Sequence, residues 1–232
     1  MTIRLSASIL CGDLLDLRTE LRSLAQAGLD AVHVDVIDGH LVPNMGIGYE
    51  TLAAMVAEST LPVEVHVAGV TVEELVGPLV KIGPALITVQ LEGAEDPRGI
   101  IERIHGGGID AGVALAPATD AARVDPFLRQ VERLTILTVQ PGFAGQDLAA
   151  GAMDRVRTLT ARARLAAPRL AVEADGHMAP SVIAQVRSYG VSHVVLGTSA
   201  LFRPGVDRSQ VVAAIRGQTV LPQVREGGDD DG

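Results

Sequence analysis

Lysine is nearly missing from this 232-residue chain: Lys81 stands alone against eighteen arginines. It falls in a stretch of helical periodicity, Val72 to Ile82, away from any strand end. Schiff-base chemistry on a sugar ketone needs an amine in the site, so that route is set aside. Cysteine is as scarce. A single residue, Cys11, excludes an internal disulfide framework and fits a reducing compartment. Positive charge is in deficit too, with a formal net charge of -9 and a pI near 5.1. That balance argues against nucleic acid or an anionic membrane surface as partner. An anionic substrate would have to be met by backbone N–H groups rather than by a global positive field. No apolar run reaches the roughly 18 residues of a membrane span, and the N-terminus lacks the basic-then-apolar pattern of a signal peptide. The expectation is a soluble, cytoplasmic protein with no membrane partner.

What is there is repetition. Aliphatic runs at 5–10, 31–36, 63–67, 86–89, 111–115, 134–139, 170–174 and 191–196 alternate with helical patterns at about 14–27, 49–59, 71–82, 97–105, 120–130, 151–166, 180–189 and 207–216. Thr71 ahead of Glu73-Glu74, and Pro180, read as helix starts; Gly28, Gly83 and Gly190 read as helix ends. Continuous aliphatic strands at this spacing indicate a parallel sheet covered on both faces. Eight βα units in one stretch, residues 1–216, predict a single-domain (β/α)8 TIM barrel. An open doubly wound sheet is the alternative, but the first strand runs into Ser8-Ile9-Leu10-Cys11-Gly12-Asp13, not a GxGxxG turn. Residues 217–232, ending GGDDDG, are expected to be a disordered acidic tail.

In a barrel, chemistry collects where the strands end. The stretch His33 to Asn44, HVDVIDGHLVPN, carries His33 and Asp35 on one face of its strand, with Val34 and Val36 on the other. Asp38-Gly39 then makes a turn, and Pro43 stiffens the backbone beyond it. An imidazole and a carboxylate at a buried strand end need a partner. A hydrogen-bonded pair would serve; so would a metal. His66 ends VEVH and Asp175 follows AVEA. The set His33, Asp35, His66 and Asp175 therefore offers a nitrogen–oxygen site for one divalent metal ion: zinc, iron(II), manganese or cobalt. Two glycine-bearing turns, Pro141-Gly142-Phe143-Ala144-Gly145-Gln146 and Gly197-Thr198-Ser199, suit phosphate oxygens bound by backbone N–H groups; tight βα turns are their plain alternative. A metal chelated by a ketose carbonyl and its neighbouring hydroxyl would acidify the carbon between them. Two carboxylates could then remove a proton and return one. The remaining candidates get structural readings: Cys11 packed, His40 bracing its turn, His105 solvated, and His193 at the opposite end of the barrel.

These segments also resemble a known family. HVDVIDGHLVPN, the strand-end His66, VQPGFAGQ, EADG and GTSALF stand in the order and at the spacing of ribulose-phosphate 3-epimerase and its relative allulose-6-phosphate 3-epimerase, from about Leu5 to Phe202. The resemblance implies a divalent-metal barrel that epimerises C3 of a ketose phosphate, ribulose 5-phosphate or allulose 6-phosphate in type. It implies His33, Asp35, His66 and Asp175 as metal ligands, with Asp35 and Asp175 also exchanging the proton. Ser8 and His66 would contact substrate. Gly142, Phe143, Ala144, Gly145, Gly176, His177, Gly197 and Thr198 would surround its phosphate end. A homo-oligomer is implied as well. Departures stand beside the match. Ile37, Ala68 and Leu137 occupy positions where the family places methionines. His177 replaces the second glycine of DGG, Gln90 a histidine, and Ala7 a proline. These changes leave open a barrel that binds a phosphorylated metabolite but has lost its activity. A lyase or decarboxylase barrel is the third reading; such barrels carry a DxK pattern, and here DVIDG has no lysine near it.

Overall fold

The computed structural model describes residues 2–217. Eight parallel strands close into a barrel in sequence order: β1 Arg4–Ser8, β2 Ala31–Ile37, β3 Val63–Ala68, β4 Leu86–Gln90, β5 Asp110–Leu115, β6 Arg133–Leu137, β7 Ala171–Asp175 and β8 His193–Leu196. Around them run α1 Leu17–Gln26, α2 Tyr49–Glu58, α3 Val72–Ile82, α4 Pro97–Gly106, α5 Ala152–Ala166, α6 Pro180–Tyr189 and α7 Arg208–Ile215. The residues proposed as an acidic tail lie, from 218 onward, outside the described residues.

Local chemistry explains the boundaries. Asp16, Asp96 and Asp207 accept from N–H groups in the first turns of α1, α4 and α7, filling donors that a helix start leaves open. Gly83 and Gly190 end α3 and α6 in the left-handed region, at φ of 76° and 101°, as expected of such caps. Two expectations differ from what is found. The first strand stops at Ser8, where a 3-10 turn over Ile9–Cys11 leaves the sheet. The helix expected over 120–130 is a 3-10 turn, Ala121–Val124, followed by further turns. Pro126 explains the second: without an N–H and with its ring against the preceding turn, it blocks an α-helical ladder.

Strand alternation divides the core. Val63, Val65 and Val67 belong to the aliphatic layer shared with the helices, together with Leu52, Met55, Val72 and Val76. Their alternates, Glu64 and His66, point inward. At the lower level of the interior, Arg133 Nη1 donates to Glu64 Oε2 at 2.6 Å and Glu173 Oε2 at 2.9 Å, and Nη2 to Glu64 Oε1 at 3.0 Å. Ser6 Oγ donates to Glu64 and Thr135 Oγ1 to Glu173. His193 starts β8 beside this cluster; burial, with the Arg133 guanidinium adding to it, holds its imidazole down at about 4. One layer further toward the strand ends lie His33, Asp35, His66 and Asp175.

Candidate active site

Strand register brings these four together. Asp35 on β2 is opposite His66 on β3, while Ser8 on β1 is opposite His33. Asp175 ends β7 opposite Leu137, and β1 and β8 separate it from β2. Asp35 Oδ1 sits 3.3 Å from His33 Nε2 and 3.2 Å from His66 Nδ1. Asp175 Oδ2 approaches His33 Nε2 at 3.9 Å. His66 Nε2 lies 2.8 Å from Gln90 Oε1. The imidazoles are buried, whereas the side chains of Asp35 and Asp175 keep 21% and 20% of their surface exposed. Both carboxylates therefore open onto the mouth of the barrel.

The two carboxyls are pushed in opposite directions. Burial opposes ionisation of Asp35, but the His33 and His66 imidazoles outweigh it and hold the carboxyl far below its usual range. Burial dominates at Asp175 and raises it to about 6, with Asp35 adding repulsion and His33 opposing. Burial also opposes charge on His33, but Asp35 overrides it and raises the imidazole to about 10; His66 is raised for the same reason. Such separation of neighbouring carboxyls is what an acid–base pair requires.

The donor set fits a divalent cation. Ligand atoms of His33, Asp35 and His66 lie within 4.8 Å of one another, and Asp175 stands just outside that tight group beside His33. Two imidazole nitrogens and a carboxylate oxygen converging in a buried site need positive charge between them, as protons or as a metal ion.

Above them opens a cavity of about 330 Å³. Every residue expected to touch substrate lies on its wall: Ser8, His66, Gly142, Phe143, Ala144, Gly145, Gly176, His177, Gly197 and Thr198. Asp35 and Asp175 do too; His33 stands behind them, 3.3 Å from Asp35 Oδ1 and 3.9 Å from Asp175 Oδ2. No lysine or arginine among the described residues lines the cavity, so on those residues an anion there would depend on backbone N–H groups. Gly142 has φ of 108°, and a Cβ on it would come 2.8 Å from Val42 Cγ2. Gly176 has φ of 103°, and a Cβ there would meet Val139 Cγ2 at 2.6 Å. Both turns thus need glycine on two counts.

His177 is the one non-glycine among the described residues with positive φ, 49°. Its Nδ1 lies 2.7 Å from the Gln146 carbonyl, tying the loop after β7 to the loop after β6. Cys11 is also on the wall, against Ser8 and the Thr198 N–H, and burial raises its thiol. The turn after β2 is braced by Asp38, whose carboxylate accepts from the N–H groups of His40, Leu41 and Val70.

A family model described as the ribulose-phosphate 3 epimerase family matches residues 4–202. The chain belongs to the ribulose-phosphate 3-epimerase family. Ribulose-phosphate 3-epimerase 1 of Cupriavidus necator is 33% identical over 211 residues, covering 88% of this chain and 87% of that protein. The cytoplasmic isoform of ribulose-phosphate 3-epimerase from Oryza sativa is 30% identical over 217 residues, 92% of each chain. Among solved structures, phosphoribosyl anthranilate isomerase of Thermus thermophilus superposes with a TM-score of 0.62 at 15% identity, over 93% of this chain and 98% of that one; this likeness shows the barrel alone. No helix among the described residues is long and apolar enough to cross a membrane.

Within this epimerase-family barrel, Ile37, Ala68 and Leu137 all line the cavity. The three positions read as departures from the family pattern therefore lie on the wall and outside the His/Asp cluster. The sequence reading missed three neighbours. Asn44 donates to the Gly142 carbonyl and joins the loops after β2 and β6. Met45, 69% exposed, lines the cavity rim. Glu92 accepts from Gln90. Of these only Asn44 had a signal, as the end of HVDVIDGHLVPN.

Proposed function

We propose that this chain is a metal-dependent epimerase that inverts C3 of a ketose phosphate, ribulose 5-phosphate being the first candidate and allulose 6-phosphate the second. Membership of the ribulose-phosphate 3-epimerase family supports the reaction class. The observation that carries the mechanism is the pair Asp35 and Asp175, on strands separated around the barrel, one held ionised and the other raised. His33, Asp35, His66 and Asp175 would hold the divalent ion, and its chemistry when bound is Lewis-acid stabilisation of negative charge developing on the ketose oxygens.

Asp35, ionised, takes the proton from C3. The C3–H bonding pair moves into a C2–C3 double bond and leaves negative charge on the C2 oxygen. Asp175, the more readily protonated of the two, returns a proton to C3 from the other face, and the C2 carbonyl re-forms. The reverse reaction exchanges the two roles. The phosphate end rests against the turns at Gly142–Gly145, Gly176-His177 and Gly197-Thr198, where backbone N–H groups supply the missing positive charge. Ser8 and His66 contact the sugar.

The test is C3 proton exchange from ribulose 5-phosphate and allulose 6-phosphate in deuterated water, before and after chelation. Exchange should need added Zn, Mn, Co or Fe(II), and Asp35→Asn and Asp175→Asn should each lose at least a thousandfold. Exchange surviving in both variants overturns the two-carboxylate mechanism. Tight sugar-phosphate binding with no exchange in the metal-supplied wild type would identify instead an inactive binding barrel, the reading motivated by the altered wall.

A further inference from the structure

Beside the cluster, and outside the set of proposed ligands, runs a chain of hydrogen bonds with a fixed direction. The Ala116 N–H donates to Glu92 Oε1 at 3.0 Å. Gln90 Nε2 donates to Glu92 Oε2 at 2.5 Å. Gln90 Oε1 lies 2.8 Å from His66 Nε2. His66 Nδ1, on the far side of the ring, faces Asp35 Oδ1 at 3.2 Å. Gln90 and His66 are buried, at 0% and 2% exposure, so water does not substitute for these partners.

The direction is set by what each group can do. A carboxylate only accepts. Glu92 therefore obliges the Gln90 amide to turn its NH2 toward it and its carbonyl toward His66. A carbonyl oxygen also only accepts, so His66 Nε2 must carry hydrogen. In the neutral imidazole, the form that can bind a metal, the nitrogen left with a lone pair is Nδ1, the one facing Asp35. Reversing the amide would put two acceptors together at Glu92.

We propose that Gln90 and Glu92 are positioning residues that fix the His66 tautomer and so decide which nitrogen His66 presents to a divalent cation. This rests on the proposed metal centre and deepens it. Glu92 acts at one remove: it sets the amide, and the amide sets the imidazole. Outer partners of this kind commonly change metal affinity 10- to 100-fold when removed.

The experiment measures zinc affinity by competition with a chromophoric chelator, and the His66 tautomer from 15N shifts of the zinc-loaded protein. Wild type should show a metal-bound Nδ1 and a protonated Nε2. Gln90→Leu removes the acceptor and should weaken zinc about 10- to 100-fold. Gln90→Glu alone sets two carboxylates against each other and should also weaken it. The exchanged pair Gln90→Glu/Glu92→Gln restores direction: the new carboxylate accepts from His66, and the new amide donates to it while accepting from Ala116. That double variant should return to within about threefold of wild type, a recovery that mere loss of packing would not produce. Equal zinc affinity in wild type and Gln90→Leu, or a double variant as weak as Gln90→Leu, overturns the relay while the metal centre stands. A wild type that takes up no zinc, manganese or cobalt overturns the metal centre and the relay with it.

Discussion

Replacing Arg133 by methionine should destabilise this barrel far more than the loss of one surface charge would. The guanidinium sits in the barrel interior with 9% of its side chain exposed, against 8% for Glu64 and 2% for Glu173. It makes three bonds to them, at 2.6, 2.9 and 3.0 Å. Methionine fills similar volume but leaves two buried carboxyls facing each other without a cation. Removing one partner of a buried ion pair costs about 3–5 kcal/mol, a large share of the roughly 5–15 kcal/mol that holds a domain together. For a chain of this size that is a fall in Tm of roughly 6–20 °C. Urea titration reads the loss. The triple variant Arg133→Met/Glu64→Leu/Glu173→Leu should recover most of it, short of about 1 kcal/mol for each hydroxyl, Ser6 and Thr135, that loses its acceptor. A loss below about 1 kcal/mol for Arg133→Met would refute the reasoning.

Two other perturbations test the same interior and the mouth above it. His193 is held at about 4 by burial and by Arg133, below the unfolded value. Its contribution is present above about pH 6.5 and is lost as pH falls toward 4, by roughly 1–2 kcal/mol after allowing for partial exposure. His193→Gln should flatten the stability curve in that window, and an unchanged slope would contradict this. Gly142→Ala meets both a φ of 108° and Val42 at 2.8 Å. It should cost about 1–3 kcal/mol of stability and raise KM for a sugar phosphate more than it lowers kcat; a kcat effect alone would place Gly142 away from the phosphate.

How far the sequence disclosed all this varies with the kind of signal. Aliphatic runs of four to six residues, spaced by helical patterns, leave little room for anything but a parallel barrel, and glycine after α3 and α6 marked their ends. The 120–130 segment misled because its apolar spacing suits a helix, while Pro126 blocks one. His33, Asp35, His66 and Asp175 were legible because each is a polar residue interrupting or closing an aliphatic strand. The residues two places earlier were equally polar, Glu64 before His66 and Glu173 before Asp175, yet were passed over. Their partner Arg133 lies 69 residues from Glu64, and no local pattern joins them. Glu92 was hidden for another reason: its importance comes from the direction of a hydrogen-bond chain through Gln90, which exists only once β3 and β4 are side by side.

His177 shows how a departure from a family pattern can mislead about consequence. From sequence, His177 puts an imidazole where a glycine would let the backbone approach phosphate. The backbone instead keeps a left-handed conformation, φ 49°, which costs a non-glycine residue roughly 1–2 kcal/mol. The side chain offsets part of that through Nδ1 at 2.7 Å from the Gln146 carbonyl, a bond that supports the PGFAGQ loop. The conformational demand at this position therefore comes from the turn and outlasts the glycine that usually meets it. His177→Gly should leave the turn in place, relieve the strain and untie Gln146. Loss of the tie should raise hydrogen exchange in residues 142–146, while global stability holds or increases if the relieved strain outweighs the lost bond. Unchanged exchange there would show that Asn44, bonded to the Gly142 carbonyl from the other side, suffices to hold the loop.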